Sequence, residues 1–151
     1  MATMGFHPYD TMGVHVVHLP SIDTATIKKG DAVYLNAGVV TVLADGTTAY
    51  GVFGVAAADS TTTSFSFPVY LADPKTVWVG EADATTTAAY PGQNYGLIVT
   101  SNNMAVSIAL TSNTLVKMVG LHPADGATTG AGGRVLFQWK PSAIQGNEPT
   151  A

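Results

Sequence analysis

The chain has 151 residues, 46% of them hydrophobic and only 11% charged, which is enough apolar material for one compact domain and too little charge for a disordered one. Its six basic residues, Lys28, Lys29, Lys75, Lys117, Arg134 and Lys140, are scattered among ten acidic ones, and a nucleic-acid groove needs clustered cations. The absence of cysteine excludes disulfides, thiolate metal sites and cysteine catalysis.

Twenty Thr, 21 Ala, 17 Val and 16 Gly favour strands over helices, and the elements are taken in chain order. Residues 1–26 read as an N-terminal arm and a first strand: 1–13 hold Gly5, Pro8 and Gly13 with no sustained period, 14–19 (VHVVHL) is β-rich, and Pro20 stops it. The opening MATMGFHPYD has no basic region leading into an apolar run, so the expectation is synthesis in the producing cell without a secretory signal. The body runs over 27–140. Strands are expected at 32–35 and 39–43 around an Asn36-Ala37-Gly38 turn, then at 50–57 beyond an Asp45-Gly46 turn. The stretch 50–58 is the longest apolar run and far short of the roughly 20 residues that cross a bilayer. Further strands are expected at 65–71 and 76–81 across Asp73-Pro74, at 95–100 and 104–110 across Ser101-Asn102-Asn103, and at 114–121 and 134–139. Loops at 60–64, 82–94 and 122–133 separate them, and 141–151 reads as a polar C-terminal tail. The pattern predicts an all-β single domain, a β-barrel or β-tulip of about nine short strands with two arms.

The chemistry-bearing residues are few. His15 and His18 stand three apart in the expected first strand, so alternation sends them to opposite faces and they cannot chelate one metal together; neither a metal nor a cofactor is expected. Glu81 and Asp83, at i and i+2 on a strand edge, would share a face about 7 Å apart, within the range of paired glycosidase carboxylates, with Trp78 as a sugar platform; a solvated acidic strand end explains the pair more simply. No G-x-S-x-G elbow or Walker loop occurs, and Gly130-Ala131-Gly132-Gly133 leads into a strand rather than a helix. Trp78, Phe53, Phe67 and Phe137 are assigned to packing. Phe6 and Tyr9 flank His7-Pro8 in a segment with no strand of its own, so an ordered arm must bury its aromatics against another surface. Phe6, His7, Tyr9, His15 and His18 are therefore the candidate protein-interface residues. Deleting residues 1–13 is expected to leave a folded body.

The phrase IKKGDAVYLNAGVVTVLADGTTAYGVFGVAAADS, with its Gly-Asp start, short hairpin and Gly-Val-x-Gly-Val-Ala strand, resembles the barrel of small capsid decoration, or cement, proteins of tailed bacteriophages. PVYLADPKTVWVGEAD, the YGLIVTSNNMAVSIAL hairpin and RVLFQWKPSAIQ are similar to the remaining strands of such virion proteins. The resemblance, over residues 27–145, implies a non-enzymatic subunit, often trimeric, on the capsid exterior that clamps neighbouring copies of the major capsid protein. The alternative is a carbohydrate- or receptor-binding β module contacting its ligand through Trp78, Tyr90 and the 82–94 loop. Nucleic acid and membrane are not expected partners.

Overall fold

Period-two alternation becomes strand structure along most of the chain. The last strand, Arg134–Trp139, alternates half-buried and buried side chains residue by residue, as a strand with one face on a core must. The computed structural model describes residues 5–10, 12–21, 27–43, 51–60, 64–84, 86, 89–100, 103–123 and 133–145; the expected Asp45-Gly46 turn and most of the 60–64 and 122–133 loops lie outside them. The chain is all-β, as its composition predicts. Its strands are β1 (His7–Pro8), β2 (Val16–Ser21), β3 (Ala32–Asn36), β4 (Val39–Val42), β5 (Gly54–Ala56), β6 (Ser64–Leu71), β7 (Trp78–Glu81), β8 (Asn94–Thr100), β9 (Asn103–Ser107), β10 (Val116–Leu121) and β11 (Arg134–Trp139). A 3-10 turn follows β11 at Pro141–Ala143.

Five strands close a barrel in the order β2-β4-β3-β5-β6. The β3–β4 hairpin turns through Ala37 and Gly38, at φ 51° and 81°, the two left-handed residues whose twist matches the strands they join. Strand β2 pairs with β6 inside its own barrel. It begins two residues later than the sequence predicts and runs through Pro20 to Ser21. The ladder slips between Leu19 and Ser21, and such an irregularity tolerates a proline that has no N–H to donate.

The other six strands form an antiparallel sheet in the order β1-β7-β11-β10-β8-β9. This sheet curls back on itself: Ala82, just past β7, bridges Val106 of β9 in parallel, and the Asp83 N–H donates to the Val106 carbonyl at 3.0 Å. Ile27, Val33, Val40, Ala56, Phe67 and Val69 form a small core cluster of barrel residues. A larger cluster joins Ala32 and Val55 of the barrel, and Val52 just before β5, to the sheet's Trp78, Tyr95, Met118, Phe137 and Trp139. Both tryptophans are wholly buried, and their indole N–H groups find no acceptor among the described residues. That omission costs roughly 1–3 kcal/mol each, which the edge-on packing of Trp78 on Trp139 and of Trp139 on Phe137 and the buried ring area must exceed.

Both segments expected to trail from the body are built into it as far as they are described. At the C-terminal side, Ala143 and Ile144 are buried, and Val52 bridges Ile144 in parallel. The Gln145 side chain accepts from the Leu35 N–H at 2.8 Å and donates to the Leu35 carbonyl at 2.9 Å. One amide thereby satisfies both backbone groups of a strand residue. The N-terminal arm is anchored more deeply still.

Candidate functional site: the arm and its clefts

Phe6 is 2% exposed and lies inside the chain's own core, which corrects its assignment to an intermolecular interface. Glycine makes the socket. A Cβ on Gly80, in β7, would lie 2.6 Å from the Phe6 ring, so the missing side chain there is the space the ring fills. The ring meets Phe137 and Trp139 edge-on, at centroid distances of 5.3 and 6.1 Å. Behind it the backbone of Gly5 runs against Gly30: both have positive φ, a Cβ on either would come within 3 Å of the other's backbone, and the Phe6 N–H donates to the Gly30 carbonyl at 2.8 Å. The turn that presents Gly30 is fastened by Asp31, whose carboxylate accepts the Lys28 N–H at 2.9 Å. Burial pushes the Asp31 carboxyl up, against the Lys28 hydrogen bond and charge. The arm also has a strand of its own after all, because His7 and Pro8 pair with Val79 and Trp78.

Beyond Pro8 the arm turns outward. The Tyr9 N–H donates to the Val77 carbonyl at 2.8 Å, and its ring, 49% exposed, sits edge-on to the His122 ring at 5.8 Å. The Asp10 carboxylate accepts the Met12 N–H at 2.9 Å, a local turn that holds Met12 87% exposed. Val16, which opens β2, is also exposed. Two clefts flank this segment. One is bounded by Tyr9, Asp10, Met12, Lys75 and Val77, the other by Val14, His15, Leu71, Pro74 and Ile144. Gly13 and Asp73 border both.

His15 and His18 are both exposed. His18 stands on the outer face of β2, but His15 precedes the strand, so strand alternation does not govern it and does not divide the two between opposite faces. His7 is half-buried and lines a third, open cleft of about 490 Å³ with Lys29, Gly30, Ala56 and Tyr70. Burial first, and then the positive charges of His122, Arg134 and Lys29, hold its imidazole below the ordinary value. Among the described residues, no group of three metal-ligating side chains converges.

The carboxylate pair is not a solvated strand end, because Glu81 is buried and Asp83 is hydrogen-bonded within the fold. Glu81 is buried at the end of β7, opposite Arg134. The chain leaves the strand after it, so period-two spacing no longer applies to Asp83. That carboxylate accepts the Ser107 hydroxyl at 2.6 Å and the Ile108 N–H at 3.2 Å, pinning the end of β9. Asp83→Ala should therefore lower stability by about 2 kcal/mol through two lost charged hydrogen bonds, with Asp83→Asn losing less, as urea midpoints will show; equal midpoints for Asp83→Ala and the parent would remove this role. Trp78 has no exposed surface and cannot be a sugar platform, which corrects that part of the carbohydrate alternative. Its packing role, with Phe67 and Phe137 buried and Phe53 packed against the barrel core, is as the sequence predicts.

Sequence reasoning passed over Met12 and Lys29. The signal for Met12 was the Asp-x-Met-Gly turn; for Lys29 there was none, because it acquires its neighbours only when the arm docks. Compared with protein-family models and with curated proteins, the chain matches none.

Proposed function

We propose that the protein is a non-enzymatic virion structural protein that decorates the capsid exterior as a homotrimer and stabilises it by bridging neighbouring major capsid subunits. One observation carries this reading. Three of the four exposed large hydrophobic residues among the described ones, Tyr9, Met12 and Val16, fall within eight consecutive positions of the arm and the strand it leads into, while the fourth, Val119, stands apart in sequence. The arm is rigidly anchored by Phe6 and carries these apolar tips outward, an arrangement suited to a contact surface rather than to a solvated loop. Aromatic and methionine side chains are enriched at interfaces, and a lattice repeats each small contact many times over. Low charge favours the same use, since few ionic groups need desolvation when the surface is covered. The residues that resemble cement proteins point the same way.

Co-sedimentation with purified, undecorated capsid shells tests the reading. Binding is expected to expanded shells, and the double substitution Tyr9→Ser with Met12→Asp should weaken it roughly tenfold or more, the effect of removing anchors worth about 1–2 kcal/mol. No binding to either expanded or unexpanded shells would overturn the assignment. Analytical ultracentrifugation of the free protein should give the mass of three chains.

A further inference from the structure

The fold gathers charges that the sequence scatters. Lys29 of the 28–31 turn and His7 of β1 line one cleft. Register sets His7 opposite Val79 and Arg134 opposite Glu81, so His7 and Arg134 flank β7 on the same face of the sheet, two residues apart along it. The His122 backbone N–H donates to the Arg134 carbonyl at 3.2 Å, and the His122 ring abuts Tyr9. The groups facing His7 are therefore Lys29, Arg134 and His122, with two carboxylates beside them: Asp59, which accepts the Lys29 backbone N–H at 2.7 Å, and Glu81, buried opposite Arg134. Lys29 and Arg134 are the permanent cations around His7. Among the described residues no side chain or carbonyl hydrogen-bonds the His7 ring.

We propose that this cleft is a docking site for a carboxylate-bearing segment of a partner polypeptide, held by Lys29 and His7 with Arg134 and His122 behind them. The inference rests on the interface reading above and names the chemistry of one of its contacts. Two observations favour an acidic peptide over a free anion. Pro8, Ala56 and Tyr70 give the cleft apolar lining that fits the stem of a glutamate side chain. The cluster is also continuous, through the Tyr9–His122 contact, with the exposed row of the arm.

The pH dependence has a definite sign. In the free protein burial and three cationic neighbours favour neutral imidazole at His7. A bound carboxylate places a negative charge directly against the His7 ring and favours the imidazolium, so binding takes up a proton. Affinity for the segment rises as pH falls through the histidine range and declines only when the partner's own carboxyl groups protonate, near pH 4.

The test uses the full chain and hexaglutamate as probe, at low ionic strength, with histidine side-chain NMR signals followed across pH. Saturable binding is expected, with the His7 and Lys29 resonances moving, the His7 titration midpoint rising when the probe is present, and affinity several-fold to roughly tenfold higher at pH 6 than at pH 7.5, up to the factor of one pKa unit. Lys29→Gln, on an exposed side chain, should weaken the probe several-fold without changing the fold. His7→Gln should flatten the pH dependence. Shifts confined to residues away from the cleft, an unmoved His7 midpoint, or tighter binding of inorganic phosphate than of hexaglutamate would each overturn the proposal. Shells that bind the parent protein and Lys29→Gln equally, with no probe binding, would leave the decoration reading standing and this one fallen; probe binding without shell binding would do the reverse.

Discussion

Phe6→Ala should lower the unfolding free energy by about 3–5 kcal/mol, the cost of emptying a well-packed aromatic site. For a chain of this size that is a fall of roughly 6–20 °C in Tm, and it removes a large part of the roughly 5–15 kcal/mol that separates folded from unfolded states. The reason is geometric. Phe6 fills the space left by Gly80, packs edge-on against Phe137 and Trp139, and no neighbouring side chain can collapse into the hole without moving β7. Urea unfolding checks the number, with Met12→Ala on the same arm as a control that should stay within about 0.5 kcal/mol. The consequence for truncation is direct: a chain lacking residues 1–13 loses Phe6 and β1, so it should be markedly destabilised rather than a folded body with weakened binding. A Phe6→Ala protein as stable as the parent would show that the arm is an ornament.

Gly54→Ala is the second large effect, expected at about 3 kcal/mol from overpacking. Gly54 sits in β5, paired with Val33 on one side and Leu71 on the other. An added methyl would run into the Tyr70 carbonyl oxygen and lie 2.7 Å from Val69 Cγ1. The obstacle is the backbone of the neighbouring strand, and in a closed barrel β6 can retreat only by loosening its pairing with β2. Gly120→Ala makes the contrast. It places the same methyl in β10 with its nearest atom, Leu136 Cδ1, 3.9 Å away, and should change stability by no more than about 0.5 kcal/mol. Equal urea midpoints for the two variants would show that the barrel seam yields as easily as an open strand.

The parts of the fold legible in the sequence are those whose signals are local. The β3–β4 hairpin arises from alternating valines around Asn36-Ala37-Gly38, and β11 from an unbroken inward-outward alternation. β1 was illegible because two residues have no period and one of them is a proline; it exists only because Val79 and Trp78 offer it an edge. Phe6 read as a contact for another molecule because its socket is made of glycines 24 to 74 residues further along, and an absent side chain leaves no local pattern. A glycine inside the apolar strand Trp78–Glu81 was the available signal, since such a residue marks a close approach. Residues 141–145 were misread for a related reason: Pro141 lies just past the end of β11, but the backbone and side-chain hydrogen bonds that hold residues 143 and 145 run to distant partners near Val52 and Leu35. In the candidate site, Tyr9 and His7 were visible as residue types without partners. The company His7 keeps, Lys29, Arg134 and His122, depends on three separate elements being brought to one face.

The Gln145 side chain and the Leu35 backbone it satisfies are 110 residues apart, and this has a temporal meaning. During synthesis β3 and β4 emerge early and can form their hairpin at once, yet the flank of β3 that Gln145 covers stays open until residue 145 has left the ribosome. Distant contacts of this kind place a chain among the slower folders, on the millisecond-to-second scale. The Pro141–Ala143 turn and Gln145 after it act as a latch, and a nascent protein stalled before them carries an unsatisfied strand that other chains can reach.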